Sequence, residues 1–235
     1  MILVLIPTRH EASDFIERLD SRRTYTPSGG GRIVEGVMHG RRVAVAEIGM
    51  GAAVAGKRTA TALASVGKVD VVWLAGYGGG LDPALRHGEI CVWERTPGTL
   101  PAAAPLPAHR RVKWIHTADT VVATPADKTA LFASTKAPVV EMEATAVFRI
   151  LDANRLPGAA VRAISDTASE SLPADLLACG YDPVKGRETP LRMVWRLVTH
   201  PKDIRRLKTF LATLPLPRKN LADFLEGAVR ARAKS

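Results

Sequence analysis

The chain has 235 residues, of which 46% are hydrophobic, so it can bury a substantial core as one medium-sized globular domain. Its formal net charge of +10 favours an anionic partner, such as a nucleic acid, a phosphate-bearing substrate or an acidic membrane surface. Two cysteines exclude a disulfide framework and fit a reducing, cytoplasmic compartment, and no His, Cys or Asp cluster has the spacing of a metal site.

The first half of the chain alternates strand-like and helix-like segments. Residues 2–6 are all apolar, which predicts a strand buried on both faces, and the run is far too short to span a bilayer. A helix-like pattern follows around Phe15 and Ile16. Further strands are predicted at residues 42–48, 69–75 and 90–93, with a helix of small residues that ends near Val66. Residues 99–109 are rich in proline and alanine and predict a surface loop.

The second half continues the alternation as far as residue 172. A helix is predicted at residues 126–132, and Val139 and Val140 lead into another that ends near Asn154. Residues 159–164 predict a further strand. Strands that alternate with helices in this way predict an α/β fold with helices on both faces of a sheet.

The C-terminal part is more basic and more helical. Residues 190–214 have an amphipathic, basic pattern that Pro201 divides into two helices, and another helix is predicted at residues 220–233. We therefore expect a single domain over residues 1–235, in which residues 188–235 form a basic helical extension packed on the rest.

Four polar or glycine-rich clusters follow predicted strands: TRHE at 8–11, GMG at 49–51, GYGGG at 76–80 and SD at 165–166. Ligands of open α/β sheets bind beyond the carboxyl ends of the strands, so these clusters could converge on one pocket. Turns also lie at such places, and the glycine spacing matches neither a dinucleotide fingerprint nor a Walker loop. The pattern leaves a ligand site and a set of tight turns as alternatives.

Several acids stand at these junctions. Glu141 and Glu143 bracket Met142 just before a helix, where an acid stabilises the helix dipole or faces a ligand. Asp166 could cap the next helix, or it could be a general acid whose pKa is raised by burial. Glu11 could likewise be a first-turn acid or a base that holds water.

Four motifs, in this order, resemble the nucleoside phosphorylase and nucleosidase superfamily: EIGMGAAVAG, LAGYGGGLDPALRHGEICV, VVEMEATAVFRI and AVRAISDTASE. The resemblance spans residues 1 to about 170. It implies an enzyme that cleaves the bond between a base and ribose. It also implies a three-layer α/β fold, in which helices flank a central, mixed, partly closed sheet.

The resemblance assigns roles to the acids. Glu143 would grip both ribose hydroxyls, Met142 would pack under the sugar, and Glu11 would activate water after a one-residue shift in the first strand. Asp166 would protonate purine N7, with Ser165 beside it as support. A carboxylate at the sugar stabilises the positive charge that develops there, and an acid at the base improves the leaving group.

The resemblance also assigns smaller residues to the pocket wall. They are Gly49 and Gly51 on the sugar side, Gly78 and Gly79 against the base, and Val121 and Val122 in the TADTVV segment. Val121 stands where methylthioadenosine-type nucleosidases usually carry an aromatic stacker. Stacking would then be weaker, or it would come from Tyr77 or Trp73, for both of which a place in the core or the pocket wall is the favoured alternative. The expected role of Glu141 remains capping and packing of the turn.

Water is the expected nucleophile. The second glycine loop continues as AAVAGK without the hydroxyl that phosphorylases use to hold phosphate, and Glu11 would repel the anion. Arg9, Arg86 and the basic composition favour phosphate instead. The chemistry implies no cofactor, with phosphate as co-substrate if the enzyme is a phosphorylase.

The C-terminal segments SESLPADLLACG and THPKDIRRLKTFLATL resemble the hopanoid-associated branch, which is linked to removal of adenine from adenosylhopane. Basic amphipathic helices dock on anionic bilayers, which would place the enzyme at the periphery of the inner membrane, or they pack on the domain with a solvated basic face.

The superfamily also implies a homo-oligomer. A methylthioadenosine/S-adenosylhomocysteine nucleosidase is the alternative enzyme. A nucleic-acid-binding module is the non-enzyme alternative, and the scattered basic residues and 5% aromatic content argue against it.

Overall fold

In the computed structural model, ten strands form one mixed sheet within the described residues, which are 1–101, 106–182, 187–189, 195–196 and 199–233. Eight strands follow the order β2-β3-β4-β1-β5-β10-β6-β7, while β9 pairs with the end of β5 and β8 pairs with β9. Their bounds are β1 Ile2–Ile6, β2 Asp20–Tyr25, β3 Ile33–Met38, β4 Arg41–Glu47, β5 Val71–Gly80, β6 Ile90–Glu94, β7 Arg110–Arg111, β8 His116–Thr117, β9 Val139–Glu141 and β10 Gly158–Asp166. A separate hairpin pairs β11 Tyr181–Asp182 with β12 Arg187–Glu188.

Helices cover both faces of the sheet. They are α1 Arg9–Glu17, α2 Ala52–Ser65, α3 Pro125–Thr135, α4 Ala144–Ala153, α5 Ala174–Gly180, α6 Pro201–Thr213 and α7 Pro215–Ala233. The residues of β1 are all apolar because its alternate side chains enter two different cores. One core lies under α1 and α7, and the other lies under α2 and α4. The predicted α/β class, with helices on both sides of a mixed sheet, is confirmed.

The four central strands, β4, β1, β5 and β10, run parallel, so their carboxyl ends share one edge of the sheet. Strand β5 continues through the glycine segment to Gly80, whereas the sequence pattern predicted its end at residue 75. Because Gly78 lacks a side chain, β9 can approach closely; a Cβ there would lie 2.7 Å from Val139 Cγ1. Pairing of β5 with both β9 and β10 therefore depends on glycine.

Among the strands missed from the sequence, β2 and β3 are the longest. Strands β2 and β3 form an antiparallel hairpin that extends the sheet beyond β4. The residues of β2 read DSRRTY and are mostly exposed, so they lack the apolar alternation that predicts a strand. Their pairing with β3, whose residues alternate more clearly between buried and half-buried positions, specifies the conformation instead.

The last helix is longer and more deeply placed than its basic composition suggested. Helix α7 starts at Pro215, where the ring is tolerated in a first turn, rather than at residue 220. It buries Leu221, Phe224 and Leu225 against α1 and the sheet, each contributing about 1.5–3 kcal/mol on burial. Helix α7 is therefore part of the core, while α6 is mostly exposed.

Two other expectations meet the structure only in part. The predicted helix before Pro201 falls largely outside the described residues, as do residues 102–105 of the predicted loop. The start of that loop is not at the surface, because Thr99 and Leu100 are each only 1% exposed. Trp73, one of the two aromatic residues considered for base stacking, is fully buried in the α1–α7 core, so that suggestion was wrong.

Candidate active site

Buried charge is concentrated at the carboxyl edge of the parallel strands. Within the described part of the chain, the buried charged side chains other than Asp203 are Glu11, Lys128, Glu141, Glu143, Arg162 and Asp166. Burying an ion costs free energy unless other groups compensate it, so the partners of each group show what it is placed to do.

Glu141 is saturated by its neighbours. Its Oε2 accepts hydrogen bonds from the backbone N–H groups of Glu143 and Ala144, both at 2.8 Å, in the first turn of α4. Its Oε1 accepts from Thr117 Oγ1 at 2.6 Å, and Arg162 forms an ion pair with it. With these donors in place, Glu141 caps the helix and anchors Arg162.

Glu143 is much less compensated. Its Oε1 accepts from the backbone N–H of Gly51 at 2.9 Å, while Arg162 Nη2 lies 3.5 Å from Oε2. Gly51 has φ of 87°, which favours glycine, and it begins α2. Burial raises the pKa of Glu143 to about 8; Arg162 opposes this shift and the Glu141 charge adds to it. Of the two acids in the EMEA motif, Glu143 is the one with capacity left for a ligand.

Glu11 lies beside the same arginine. Thr8 Oγ1 donates to Oε1 and the backbone N–H of Tyr77 donates to Oε2, each at 2.6 Å. Burial raises the pKa of Glu11, and these two hydrogen bonds and the Arg162 charge oppose the shift. A Cβ on Gly76 would lie 2.6 Å from Oε2, so the glycine segment makes room for this carboxylate.

Arg162 was not singled out from the sequence. It lies in the middle of β10, is fully buried, and links Glu141 to Glu143. Its Nε and Nη1 have no hydrogen-bond partner among the described residues, so they remain able to donate to a bound ligand or water. The available signal was a single charge inside AAVRAI, a run that otherwise predicts a strand buried on both faces.

Asp166 stands at the other end of the edge, as the last residue of β10. Ser165 Oγ donates to its Oδ1 at 2.6 Å and Lys128 Nζ donates to its Oδ2 at 2.5 Å. Burial raises the pKa of Asp166, while Lys128 and Ser165 lower it. A Cβ on Gly79 would lie 3.2 Å from Oδ2, so this glycine also leaves space at an acid.

The smaller predicted residues divide into those near these acids and those farther away. Ser165 Oγ also lies 3.4 Å from the carbonyl of Gly78, and the Gly49 N–H donates to the Pro7 carbonyl beside α1. Met142 is half-buried between the two glutamates. Val122 packs on the small cluster around Val140, whereas Val121 is 39% exposed.

The basic residues considered for phosphate add no buried charge to this edge. Arg9 and Arg86 are both exposed, and the buried cations are already engaged by acids. In the described ranges, no group of three or more His, Cys, Asp or Glu could hold a metal ion. No helix of the described residues is long and apolar enough to cross a membrane.

The chain belongs to the phosphorylase superfamily, whose family model matches residues 1–112 and 101–180. It is therefore an enzyme of the nucleosidase and phosphorylase class, and the nucleic-acid-binding alternative is set aside. A comparison with curated proteins gave no match.

Solved structures of the same fold cover nearly the whole chain. The 5′-methylthioadenosine/S-adenosylhomocysteine nucleosidase of Neisseria meningitidis, in complex with methylthio-immucillin-A, is 19% identical with a TM-score of 0.69, covering 97% of this chain and 98% of its own. The corresponding nucleosidase of Colwellia psychrerythraea, in complex with adenine, is 19% identical with a TM-score of 0.70, covering 98% and 94%. The futalosine hydrolase of Helicobacter pylori is 19% identical with a TM-score of 0.68, covering 97% and 96%.

Proposed function

We propose that this enzyme hydrolyses the N-glycosidic bond of an adenine nucleoside. The observation that carries the proposal is the placement of two buried acids, Glu143 and Asp166, along one glycine-lined edge. Arg162, which contacts Glu143, precedes Asp166 by four positions on β10, or roughly 13 Å at the rise of a strand. A ligand held at both ends would have its sugar at Glu143 and its base at Asp166.

The proposed reaction transfers two protons. Protonated Asp166 gives its proton to N7 of the adenine as the bond from C1′ to the base nitrogen breaks, and the bonding electrons leave with the base. Water forms the new bond to C1′, and ionised Glu11 takes the proton that this water loses. The products are free adenine and a ribose with a C1′ hydroxyl. Burial supports both roles, because a raised pKa favours an acid that holds its proton and a base that accepts one.

Positive charge develops on the sugar in such a reaction. Arg162 offers one positive charge to Glu11, Glu141 and Glu143 together, so this end of the site can carry a net negative charge. A carboxylate near the ribose hydroxyls in a water-poor site stabilises that charge. Gly51, which donates to Glu143, supports the same placement from the start of α2.

The same charges favour water over phosphate. An incoming phosphate would meet Glu11 and Glu143, while Arg9 and Arg86 are exposed and offer it no buried cation. Helix α2 begins with small apolar residues and no hydroxyl in its first turn. Phosphorolysis is therefore the second candidate.

Release of adenine from adenosine and methylthioadenosine, measured by chromatography with and without phosphate, tests the proposal. Hydrolysis without phosphate is expected, and Glu11→Gln should lower it by at least ~100-fold, as for loss of a general base. Glu17→Gln, an exposed change on the same helix, is the matched control. Activity that requires added phosphate would refute the choice of water.

We propose further that the natural substrate carries a large 5′ substituent, with adenosylhopane as the specific suggestion. The support is the resemblance of the C-terminal segments together with α6, which exposes Ile204 and Leu211 beside Lys202 and Arg205. An exposed helix with apolar and basic side chains suits an anionic bilayer surface, where a lipid-linked nucleoside would lie. Such contact would place the enzyme at the periphery of the inner membrane.

Sedimentation of the full chain with phosphatidylglycerol vesicles tests this contact. Binding should weaken in Ile204→Ser/Leu211→Ser but not in Trp114→Ser, which changes an exposed aromatic residue outside α6. Absence of binding at low salt would exclude the membrane proposal and leave glycosidic cleavage untouched.

We also propose at least a dimer, as the superfamily implies, which light scattering would check.

A further inference from the structure

Lys128 is a buried lysine that the proposed reaction does not yet use. It lies in α3 with a fully buried side chain, and Nζ donates to Asp166 Oδ2 at 2.5 Å. It also donates to the backbone carbonyls of Thr167 and Glu170, both at 2.7 Å. An ammonium group has three N–H donors, which matches the three acceptors around Nζ.

Helix α3 begins close to the turn that Lys128 contacts. Thr124 caps the helix by accepting from the backbone N–H of Asp127, and Pro125 occupies the first turn. Lys128 directly follows Asp127, and its three acceptors lie between residues 166 and 170. Lysine is expensive to bury, so a tolerated buried lysine has to be matched by its partners. Here one cation holds both the carboxyl group and the backbone turn that follows it.

The two oxygens of Asp166 are thereby made unequal. Oδ2 accepts a charge-assisted hydrogen bond from Lys128, whereas Oδ1 accepts from the neutral hydroxyl of Ser165. A proton is more favourably placed on the oxygen farther from the cation. Oδ1 is therefore the oxygen better suited to give a proton to the base.

We propose that Lys128 is a positioning residue for Asp166: it fixes the carboxyl group through Oδ2 and the 166–170 turn, and it leaves Oδ1 to carry the proton to the base. This inference rests on the proposed function for the identity of the proton acceptor. It adds a residue from α3 to a site otherwise built from the sheet edge and the first turns of α1, α2 and α4.

The charges around Asp166 determine the sign of the expected effects. The Lys128 cation lowers the pKa of Asp166, and the Glu170 carboxylate raises it slightly. Glu170 is itself held by the N–H and hydroxyl of Thr167, with His87 as a further positive influence on it. Loss of the Lys128 charge should therefore raise the pKa of Asp166. Its protonated form would then persist to higher pH.

The test is the pH profile of kcat for wild type and Lys128→Met, with Lys136→Met as a control at the exposed end of α3. Lys128→Met should lower kcat on the order of 100-fold, as for a small misplacement of a reacting group. Its alkaline limb should move to higher pH, and the control should match wild type. A purely structural role would lower kcat and leave the limb in place, which would overturn the proposal.

Lys128→Arg keeps the charge but cannot repeat three contacts from one nitrogen. It should keep the alkaline limb near that of wild type and still lower kcat. If Lys128→Met does not fold, this variant carries the test. An unchanged kcat in Lys128→Arg would then contradict positioning by the ammonium group.

A substrate-free measurement separates failure of this inference from failure of the proposed function. Urea unfolding of wild type, Lys128→Met, Asp166→Asn and the double variant gives the coupling between the two side chains. If wild type releases no adenine but the coupling is present, the proposed function fails and the ion pair stands. If wild type is active and the coupling is absent, the positioning role fails.

Discussion

The two ends of the candidate site both pair buried acids with a buried cation, but in different proportions. At the end proposed to hold the sugar, Arg162 is the cation for Glu11, Glu141 and Glu143. At the base end, Lys128 serves Asp166 alone. The first end therefore has three acids for one cation, while the second has one acid for one cation.

This difference matches the two halves of glycosidic cleavage. An excess of negative charge stabilises a sugar that becomes cationic, and it acts most strongly in a water-poor site. A balanced pair allows one carboxyl group to hold a proton and then release it without leaving a large uncompensated charge. Both ends contain buried acids. The number of acids per cation is what distinguishes the end that would stabilise the sugar from the end that would protonate the base.

The largest expected effect comes from the base end. Asp166→Asn removes the acid but keeps the shape, and it should lower kcat by about 100- to 10,000-fold for adenine release. Steady-state kinetics on adenosine or methylthioadenosine would measure it. Asp152→Asn, an exposed acid on α4, should be unaffected. A variant with most of the wild-type rate would show that Asp166 does not protonate the base.

The next effect tests the sugar end. Arg162→Met leaves three buried acids without their cation, so it should destabilise the fold by about 3–5 kcal/mol, as for removal of one partner of a buried ion pair. Urea unfolding would measure the loss, with Arg149→Met as the exposed control. The loss should exceed that of Lys128→Met, since the latter leaves one acid unpaired. The reverse order would contradict the proposed imbalance.

Glu143 should make stability depend on pH. Its pKa rises from 4.5 to about 8 in the folded chain, so it binds its proton more tightly there. Its contribution is fully present below pH 4.5 and is lost as the pH rises through about 8. Glu143→Gln should therefore remove a loss that accumulates between pH 4.5 and about 8. If the free energy of unfolding falls equally with rising pH in wild type and in Glu143→Gln, the Glu143 carboxylate is compensated by its neighbours after all.

Ser165→Ala should have the smallest effect. It removes one neutral hydrogen bond to Asp166 Oδ1, worth about 1 kcal/mol, or several-fold in kcat. Ser134→Ala on α3 is the matched control, because its hydroxyl donates to a backbone carbonyl at the surface. A loss as large as that of Asp166→Asn would mean that the serine takes part in proton transfer directly.

The acids of the site were proposed from the sequence, whereas the cations were not. Glu11, Glu143 and Asp166 stand in motifs after strands, where side chains reach the carboxyl edge of a parallel sheet. Lys128 lies in a polar helical segment that resembles a solvated face, and only tertiary packing turns it inward. Arg162 could have been noticed as a lone charge in an apolar strand.

The fold class followed from the alternation of strands and helices, but its edges did not. The β2–β3 hairpin is held by pairing between strands rather than by an apolar pattern, so local sequence carried little signal. The buried face of α7 was obscured by its basic residues, of which Lys219 and Arg230 are exposed while Arg218 and Arg232 are half-buried. In both cases, contacts distant in sequence specify the structure.

The wall of the site is largely backbone, because Gly76, Gly78 and Gly79 of β5 present no side chains to Glu11, Arg162 and Asp166. Substitution there has little room, since a methyl group on Gly76 would lie 2.6 Å from Glu11 Oε2 and one on Gly79 would lie 3.2 Å from Asp166 Oδ2. New substrate preferences in this scaffold would have to arise at the rim, where side chains can be exchanged. The chemistry and the choice of substrate can therefore change independently.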